Sequence, residues 1–368
     1  MRVLVTGAQG FIGKNLTAHL NEQEQFSVLV FARENTLDEL QGLVEQADAV
    51  VHLAGENRPK DVSAFKVVNT GLTQSLCDAL RAANRKIPLI LASSIQTEQD
   101  NLYGKSKLEA ERAVRSLANE TGNPVYIYRL PGVFGKWCKP NYNSVVATFC
   151  YNISHNIPIQ INDKSALLRL VYVEDVVLDF IRVIQQEGEI ITMPEVEPEY
   201  SITLGELAEQ ITAFKSCRTN LIIEPVGSGL VRALYSTYMS YVSPEQFAYD
   251  LPRHIDERGS FVEMLKTRDS GQFSFFTARS GVTRGGHYHH TKTEKFLVVK
   301  GLARFRFRHI DTDEPFEIFT SGDEPQVVDT IPGWAHEITN VGEEEMIVIL
   351  WANEIFNQDH PDTLVAKV

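Results

Sequence analysis

The stretch TGAQGFIG, residues 6–13, decides the fold of the first part of the chain. It follows a short apolar run, MRVLV, and opens a segment with helical spacing, so Gly7, Gly10 and Gly13 stand where a strand turns into a helix. Glycines at those points permit a tight turn. They also let the free N–H groups of the helix start approach a pyrophosphate, which the helix dipole favours. The triplet alone is a weak signal of dinucleotide binding, and only its surroundings raise it.

Working outward, short apolar runs recur at residues 3–6, 28–32, 49–53, 88–92 and 125–129. Between them, segments such as 70–85 and 108–118 repeat apolar residues every three or four positions, as helices do. This alternation predicts a doubly wound α/β domain, a parallel sheet covered on both faces. The second run leads into Phe31, Ala32 and Arg33 and supplies no carboxylate for the 2′-hydroxyl of NAD. Arg33 suits a 2′-phosphate, so NADPH is the expected cofactor, with a plain surface cation as the bland alternative.

Further on, YGKSK places Tyr103 and Lys107 four apart at a helix start, on one face. A nearby ammonium and nicotinamide favour tyrosinate character, so the phenol can deliver a proton to a carbonyl that receives hydride. Ser94, at the end of LASS, can donate a hydrogen bond to the developing alkoxide. Together TGAQGFIG, VVHLAGENRP, VVNTGLTQ, the ASS ending at Ser94, YGKSK, RLPGVFGKW and LLRLVYVEDVV resemble the extended short-chain dehydrogenase/reductase family over residues 1–240. The resemblance implies catalysis by Ser94, Tyr103 and Lys107, with Asn69 in support. It also implies cofactor contacts at Gly7, Gly10, Phe11, Ile12, Gly13, Arg33, Leu53, Ala54, Gly55, Asn69, Tyr103 and Lys107, and a sugar-nucleotide substrate whose diphosphate meets Arg169. The loop between Ser94 and Tyr103 is shorter than is common in that family.

The chain has 368 residues, enough for two domains. A formal charge of -13 argues against nucleic acid or anionic membrane as a partner. Cys77, Cys138, Cys150 and Cys217 show no CxxC pairing and read as reduced, mostly buried thiols. Neither a signal peptide nor an apolar run of 18 residues is present, so a cytoplasmic protein is expected.

After about residue 243 the pattern changes to closely spaced strands, FSFFTA, KFLVVKG, ARFRFRHI and EMIVILWA, which predict an all-β sandwich or barrel. The boundary is placed near residues 243–252, giving a reductase domain over 1–245 and a β domain over 246–368. Within the second, GGHYHHTKTEKFLVVKG holds His287, His289 and Glu294, and PGWAHEITN holds His336. Alternation on a strand brings His287 and His289 to one face. Three imidazoles and a carboxylate suit Zn²⁺ or another first-row divalent ion.

The spacing of these residues resembles the cupin motifs. DERGSFVE, TRGGHYHH and PGWAH are also similar to the sugar-nucleotide 3,5-epimerases of the cupin superfamily, in which the histidine matching His287 is a general base and no metal is used. His289 and Glu294, absent from those epimerases, favour the metal. Under that reading Lys295, Tyr288 or His290 is the candidate acid or base. As a whole the chain resembles the bifunctional capsular-polysaccharide enzymes that join an NADPH-dependent reductase to a zinc-containing cupin. That resemblance implies C3 epimerisation, then C4 reduction, of a UDP-linked 2-acetamido-2,6-dideoxy-4-hexulose to a UDP-2-acetamido-2,6-dideoxy-L-talose, on the way to N-acetyl-L-fucosamine. It also implies a homodimer or larger homo-oligomer. Two rival readings are a reductase whose cupin is a structural or dimerising module, and a binding module that senses NADP(H).

Overall fold

The computed structural model describes every residue except 60, 187–188, 252–253, 257–258, 262–264, 268–270 and 355–358, and leaves aside the side chains of 254–256, 259–261, 266–267 and 272–274. The DERGSFVE segment therefore lies largely outside the described residues. Contacts divide the chain into two compact units, residues 1–144 with 168–201, and residues 145–167 with 202–368.

In the first unit, strands β1 (Arg2–Thr6), β2 (Ser27–Phe31), β3 (Ala49–His52), β4 (Leu89–Ser94) and β5 (Val125–Leu130) alternate with helices α1 (Phe11–Asn21), α2 (Leu37–Gln46), α3 (Leu72–Ala83) and α4 (Leu102–Thr121). Strand β6 (Gly132–Phe134) follows; helix α5 (Val145–Ser154) belongs to the second unit. The first unit resumes with β7 (Leu167–Tyr172), α6 (Val173–Ile184), β8 (Ile191–Thr192) and β9 (Glu199–Thr203). The main sheet runs β2-β1-β3-β4-β5-β8, all parallel. Helices α1 to α4 connect consecutive strands β1 to β5, as parallel strands require, and so cover the sheet. Leu4, Val50, Leu89, Leu91, Val125 and Ile127 from the strands pack against Leu76, Leu80, Val114 and Leu117 from the helices. Burial on both faces explains the nearly unbroken apolar runs.

The second unit carries α7 (Leu204–Asn220), β10 (Ile222–Ile223), α8 (Gly229–Met239), β11 (Ala248–Asp250), β12 (His254–Asp256), β13 (Gly259–Phe261), β14 (Lys266–Thr267) and β15 (Gln272–Ala278). Then come β16 (Thr283–Tyr288), β17 (Glu294–Lys300), β18 (Leu302–His309), β19 (Pro315–Ser321), β20 (Gln326–Thr330), β21 (Trp334–Asn340), β22 (Met346–Ala352) and β23 (Leu364–Val365). Two five-stranded sheets result, β11-β20-β17-β22-β15 and β19-β18-β21-β16-β23. Their inner faces meet through rings such as Phe296 on β17 and Phe305 on β18, with centroids 5.6 Å apart. Helix α7 starts in a capping box in which Thr203 accepts from Glu206 N–H and the Glu206 carboxylate returns the bond.

Contacts group residues 145–167 and 202–245 with the β strands. The physical reason is visible at Arg218 of α7, which pairs with the buried Asp329 of β20 at 2.8 Å, and at Ser236 of α8, which donates to Thr291 O. Among the described residues, no helix is long and apolar enough to cross a membrane. The four cysteines form no disulfide, and burial pushes the Cys77 thiol up to about 12.

Candidate active sites

The order of the main sheet reverses between β1 and β3, the kind of crevice in which doubly wound sheets bind ligands. There the chain approaches itself closely. Gly7 has φ +70°, and a Cβ on it would sit 2.7 Å from Ala54 N; one on Gly13 would sit 2.2 Å from Gly7 O. Neither position has room for a side chain, so α1 begins tight against the turn. Gly10 caps α1 without a side chain, which leaves the N–H groups of Phe11, Ile12 and Gly13 for an outside acceptor. This cradle fits the pyrophosphate of a dinucleotide.

The floor of the crevice is set by buried polar bonds. Thr6 Oγ1 lies 2.7 Å from His52 Nδ1 and accepts from Leu53 and Ala54 N–H, while His52 Nε2 meets Thr73 Oγ1 at 2.9 Å. Burial, with a push from Lys107, holds the His52 imidazole down at about 3, hence neutral. Lys107 Nζ donates to Ala92 O at 2.9 Å, and a Cβ on Gly55 would lie 3.2 Å from that ammonium. Asn69 accepts from Glu56 N–H at 2.7 Å and donates to Ser106 Oγ, which donates to Tyr103 O. Asn69 Oδ1 and Lys107 Nζ both crowd Gly55, where a Cβ would lie 3.1 and 3.2 Å from them.

Burial raises the Tyr103 phenol and a hydrogen bond with Ser94 offsets part of that rise. Burial thus favours the protonated phenol at Tyr103, and the Ser94 hydrogen bond works against it. Burial lowers Lys107 to about 8, with Glu111 acting against the shift. Sequence reasoning missed Glu111, which is buried, accepts from Ser93 Oγ at 2.6 Å and pairs with Arg129 at 2.8 Å. Arg169 stands on β7 in a bidentate pair with Glu199 at 2.6 and 2.9 Å. Arg33 pairs with Glu56 at 2.6 Å.

In the second unit, ligand atoms of His287, His289, Glu294 and His336 all lie within 4.8 Å of one another. A bulge makes this possible. Gly285 has φ +103°, a Cβ on it would sit 2.8 Å from His336 O, and the register shifts so that His287 faces His336 across β16 and β21. His289 is positioned from two sides: Gly333 N–H of the PGW turn donates to its carbonyl at 3.0 Å, and its Nδ1 meets Asp362 O. The Asp362 carboxylate accepts N–H groups of His290, Thr291 and Lys292 at 2.7–2.8 Å, fixing the loop before β17.

Glu294 Oε2 lies 3.2 Å from His289 Nε2 and 3.5 Å from His336 Nε2. The second distance is too long for a good hydrogen bond, so the buried His336 Nε2 has Glu294 as an ion-pair neighbour and makes no hydrogen bond among the described residues. Burial, then the neighbouring His336 and His289, lower His287 to about 4. Burial raises the Glu294 carboxyl, but its contacts with His289 and His336 outweigh this and hold it well below the usual range. An orphaned buried imidazole nitrogen beside an ionised carboxylate fits a divalent cation.

Lys295 does not join this cluster. Neighbouring strand residues face opposite ways, and its ammonium is buried on the other side of β17, 2.7 Å from Asp329 and over the Tyr249 ring. Its ammonium therefore stands apart from the four cluster side chains. Tyr288 and His290 alternate with the two cluster histidines, and their rings pack on each other at 5.4 Å. The cation that does approach is Lys292, whose Nζ is 3.5 Å from Glu294 Oε1. Lys292 and Glu294 stand two apart, a spacing that could have found it.

Fold and geometry thus define a doubly wound α/β unit with a glycine-bounded helix start, followed by a histidine-rich unit of two β sheets. The chain belongs to the NAD dependent epimerase/dehydratase family, whose model matches residues 3–193, and residues 254–364 match the polysaccharide biosynthesis C-terminal domain. It is 55% identical over 368 residues, 100% of this chain and 99% of the relative, to the UDP-2-acetamido-2,6-beta-L-arabino-hexul-4-ose reductase of Pseudomonas aeruginosa. Among solved structures it is similar to the capsular polysaccharide assembling protein CapF of Staphylococcus aureus, with TM-score 0.68, 43% identity and full coverage of both chains. The UDP-glucuronic acid 4-epimerase of Bacillus cereus, 18% identical with TM-score 0.53 over 59% of this chain and 83% of that one, shares the fold of the first part.

Proposed function

We propose that the chain performs two consecutive steps on a UDP-linked 2-acetamido-2,6-dideoxy-4-hexulose in capsular polysaccharide synthesis. The β unit, read as a cupin, epimerises C3, and the dinucleotide unit reduces C4 with NADPH to give a UDP-2-acetamido-2,6-dideoxy-L-talose. The observation that carries the reading is the Tyr103 phenol, kept protonated by burial and hydrogen-bonded to Ser94, with Lys107 buried beside Gly55. End-to-end similarity to a hexulose reductase and to CapF supports the substrate class.

The two steps belong together chemically. A ketone at C4 acidifies the hydrogen at C3, so a proton can leave one face and return on the other; reduction then removes the ketone and fixes the new stereocentre. NADPH, when bound, supplies the hydride. Tyr103 gives its proton to the C4 oxygen, and Ser94 holds that oxygen as charge develops. Lys107 keeps an ammonium next to the site, and Arg169, now paired with Glu199, is the cation assigned to the diphosphate. A divalent ion such as Zn²⁺, when bound by His287, His289, Glu294 and His336, withdraws charge from the carbonyl oxygen. In this reading His287 is a ligand. The rest of the reading is a cytoplasmic protein that assembles as a homodimer or larger oligomer.

The test follows products with the two sites disabled separately. Tyr103→Phe is expected to accumulate the C3-epimerised ketone without consuming NADPH. Glu294→Gln is expected to consume NADPH only when the epimerised ketone is supplied. Normal NADPH turnover in Tyr103→Phe would overturn the assignment.

A further inference from the structure

Arg33, on which the NADPH reading rests, already has a partner. Arg33 Nη2 lies 2.6 Å from Glu56 Oε1, and the Arg33 side chain is 91% exposed against 20% for Glu56. The carboxylate is therefore the fixed member of the pair. Glu56 N–H donates to Asn69 Oδ1 at 2.7 Å and Glu56 O accepts from Asn69 Nδ2 at 3.0 Å, so the backbone beneath the carboxylate is clamped on both sides. The end of β2 is ordered as well: Ala32 N–H donates to Asn35 Oδ1, and Gly7 N–H reaches Phe31 O, so Arg33 stands next to the glycine turn.

A carboxylate beside the adenosine ribose accepts from a 2′-hydroxyl and repels a 2′-phosphate, while an arginine does the reverse. Here the two groups meet, the arginine after β2 and the carboxylate from the loop after β3. We propose that Glu56 is a specificity-determining residue that sets the balance between NADPH and NADH. Its carboxylate competes with a 2′-phosphate for Arg33 and offers an acceptor to a 2′-hydroxyl. The inference deepens the reductase reading and rests on the dinucleotide site it assigns. Because the ion pair is exposed, its removal shifts the balance modestly, by about three- to tenfold, and less at high salt.

Dissociation constants for NADPH and NADH, read from dihydronicotinamide fluorescence without any sugar, test this in wild type, Glu56→Gln and Arg33→Ala. Glu56→Gln is expected to tighten NADPH and weaken NADH, and Arg33→Ala to move the ratio the other way. Glu56→Ser reads the same ratio should the glutamine variant bind neither cofactor. A wild type that favours NADH would sink the NADPH reading, yet a shift toward NADPH in Glu56→Gln would still uphold the role of Glu56. An unchanged ratio in both Glu56 variants, with binding intact, overturns it.

Discussion

Glu294 and Lys295 are adjacent in the chain and serve opposite sides of one strand: Glu294 Oε2 lies 3.2 Å from His289 Nε2, while Lys295 Nζ lies 2.7 Å from Asp329 Oδ1. The first belongs to the histidine cluster and the second to a buried ion group with Arg218. This division predicts different failures for the two residues.

Lys295→Met is expected to destabilise the fold by about 3–5 kcal/mol, since it leaves the buried Asp329 with Arg218 alone. Denaturant unfolding of the intact chain measures the loss. The fraction that remains folded should still exchange the C3 hydrogen; lost exchange at full stability would return Lys295 to the catalytic list.

His289→Ala and Glu294→Gln are expected to lose bound metal, as read by elemental analysis of the purified protein. Asp362→Asn should weaken metal binding by about 10–100-fold without abolishing it, because the loop carrying His290 to Lys292 loses its charged acceptor while the four donors stay. Equal metal content in wild type and His289→Ala would favour metal-free chemistry centred on His287.

Gly13→Ala places a methyl about where the Gly7 carbonyl oxygen already stands, 2.2 Å away. The backbone there cannot yield without opening the turn. Cofactor affinity is expected to fall by at least about tenfold, measured by fluorescence titration; unaltered binding would show that the turn does not cradle the pyrophosphate.

Lys107 gives the pH dependence. Its ammonium is lowered from 10.5 to about 8 by burial. Between those values the unfolded chain holds the proton and the folded one does not, so this group makes stability rise with pH across that window. Activity runs the other way in the proposed role, because loss of the ammonium removes the positive charge that Lys107 holds at Ala92 O and Gly55. A basic limb near pH 8 is expected in kcat/KM for ketone reduction; a flat profile to about pH 10 would contradict the role.

Much of this was legible from local pattern. Gly7, Gly10 and Gly13, the strand alternation and the four cluster residues all declare themselves through spacing, because turns and strand faces are short-range properties. Helix α5, VVATFCYNIS, is apolar nearly all round, so its sequence shows no stripe that marks a helix. The grouping of α7 and α8 with the β strands depends on Arg218 meeting Asp329, 111 positions away, which no local pattern encodes. The placement of Lys295 away from the cluster is contained in the sequence, since alternation after Glu294 turns it to the other face.

The most direct measurement is deuterium uptake at C3. The UDP-linked 4-keto sugar is incubated with wild-type protein in D₂O without NADPH and followed by NMR. Deuterium is expected at C3 with wild type and with Tyr103→Phe, and none with Glu294→Gln. Absence of deuterium with wild type, alongside normal NADPH-dependent reduction of C4, would contradict it and leave the β unit a structural module.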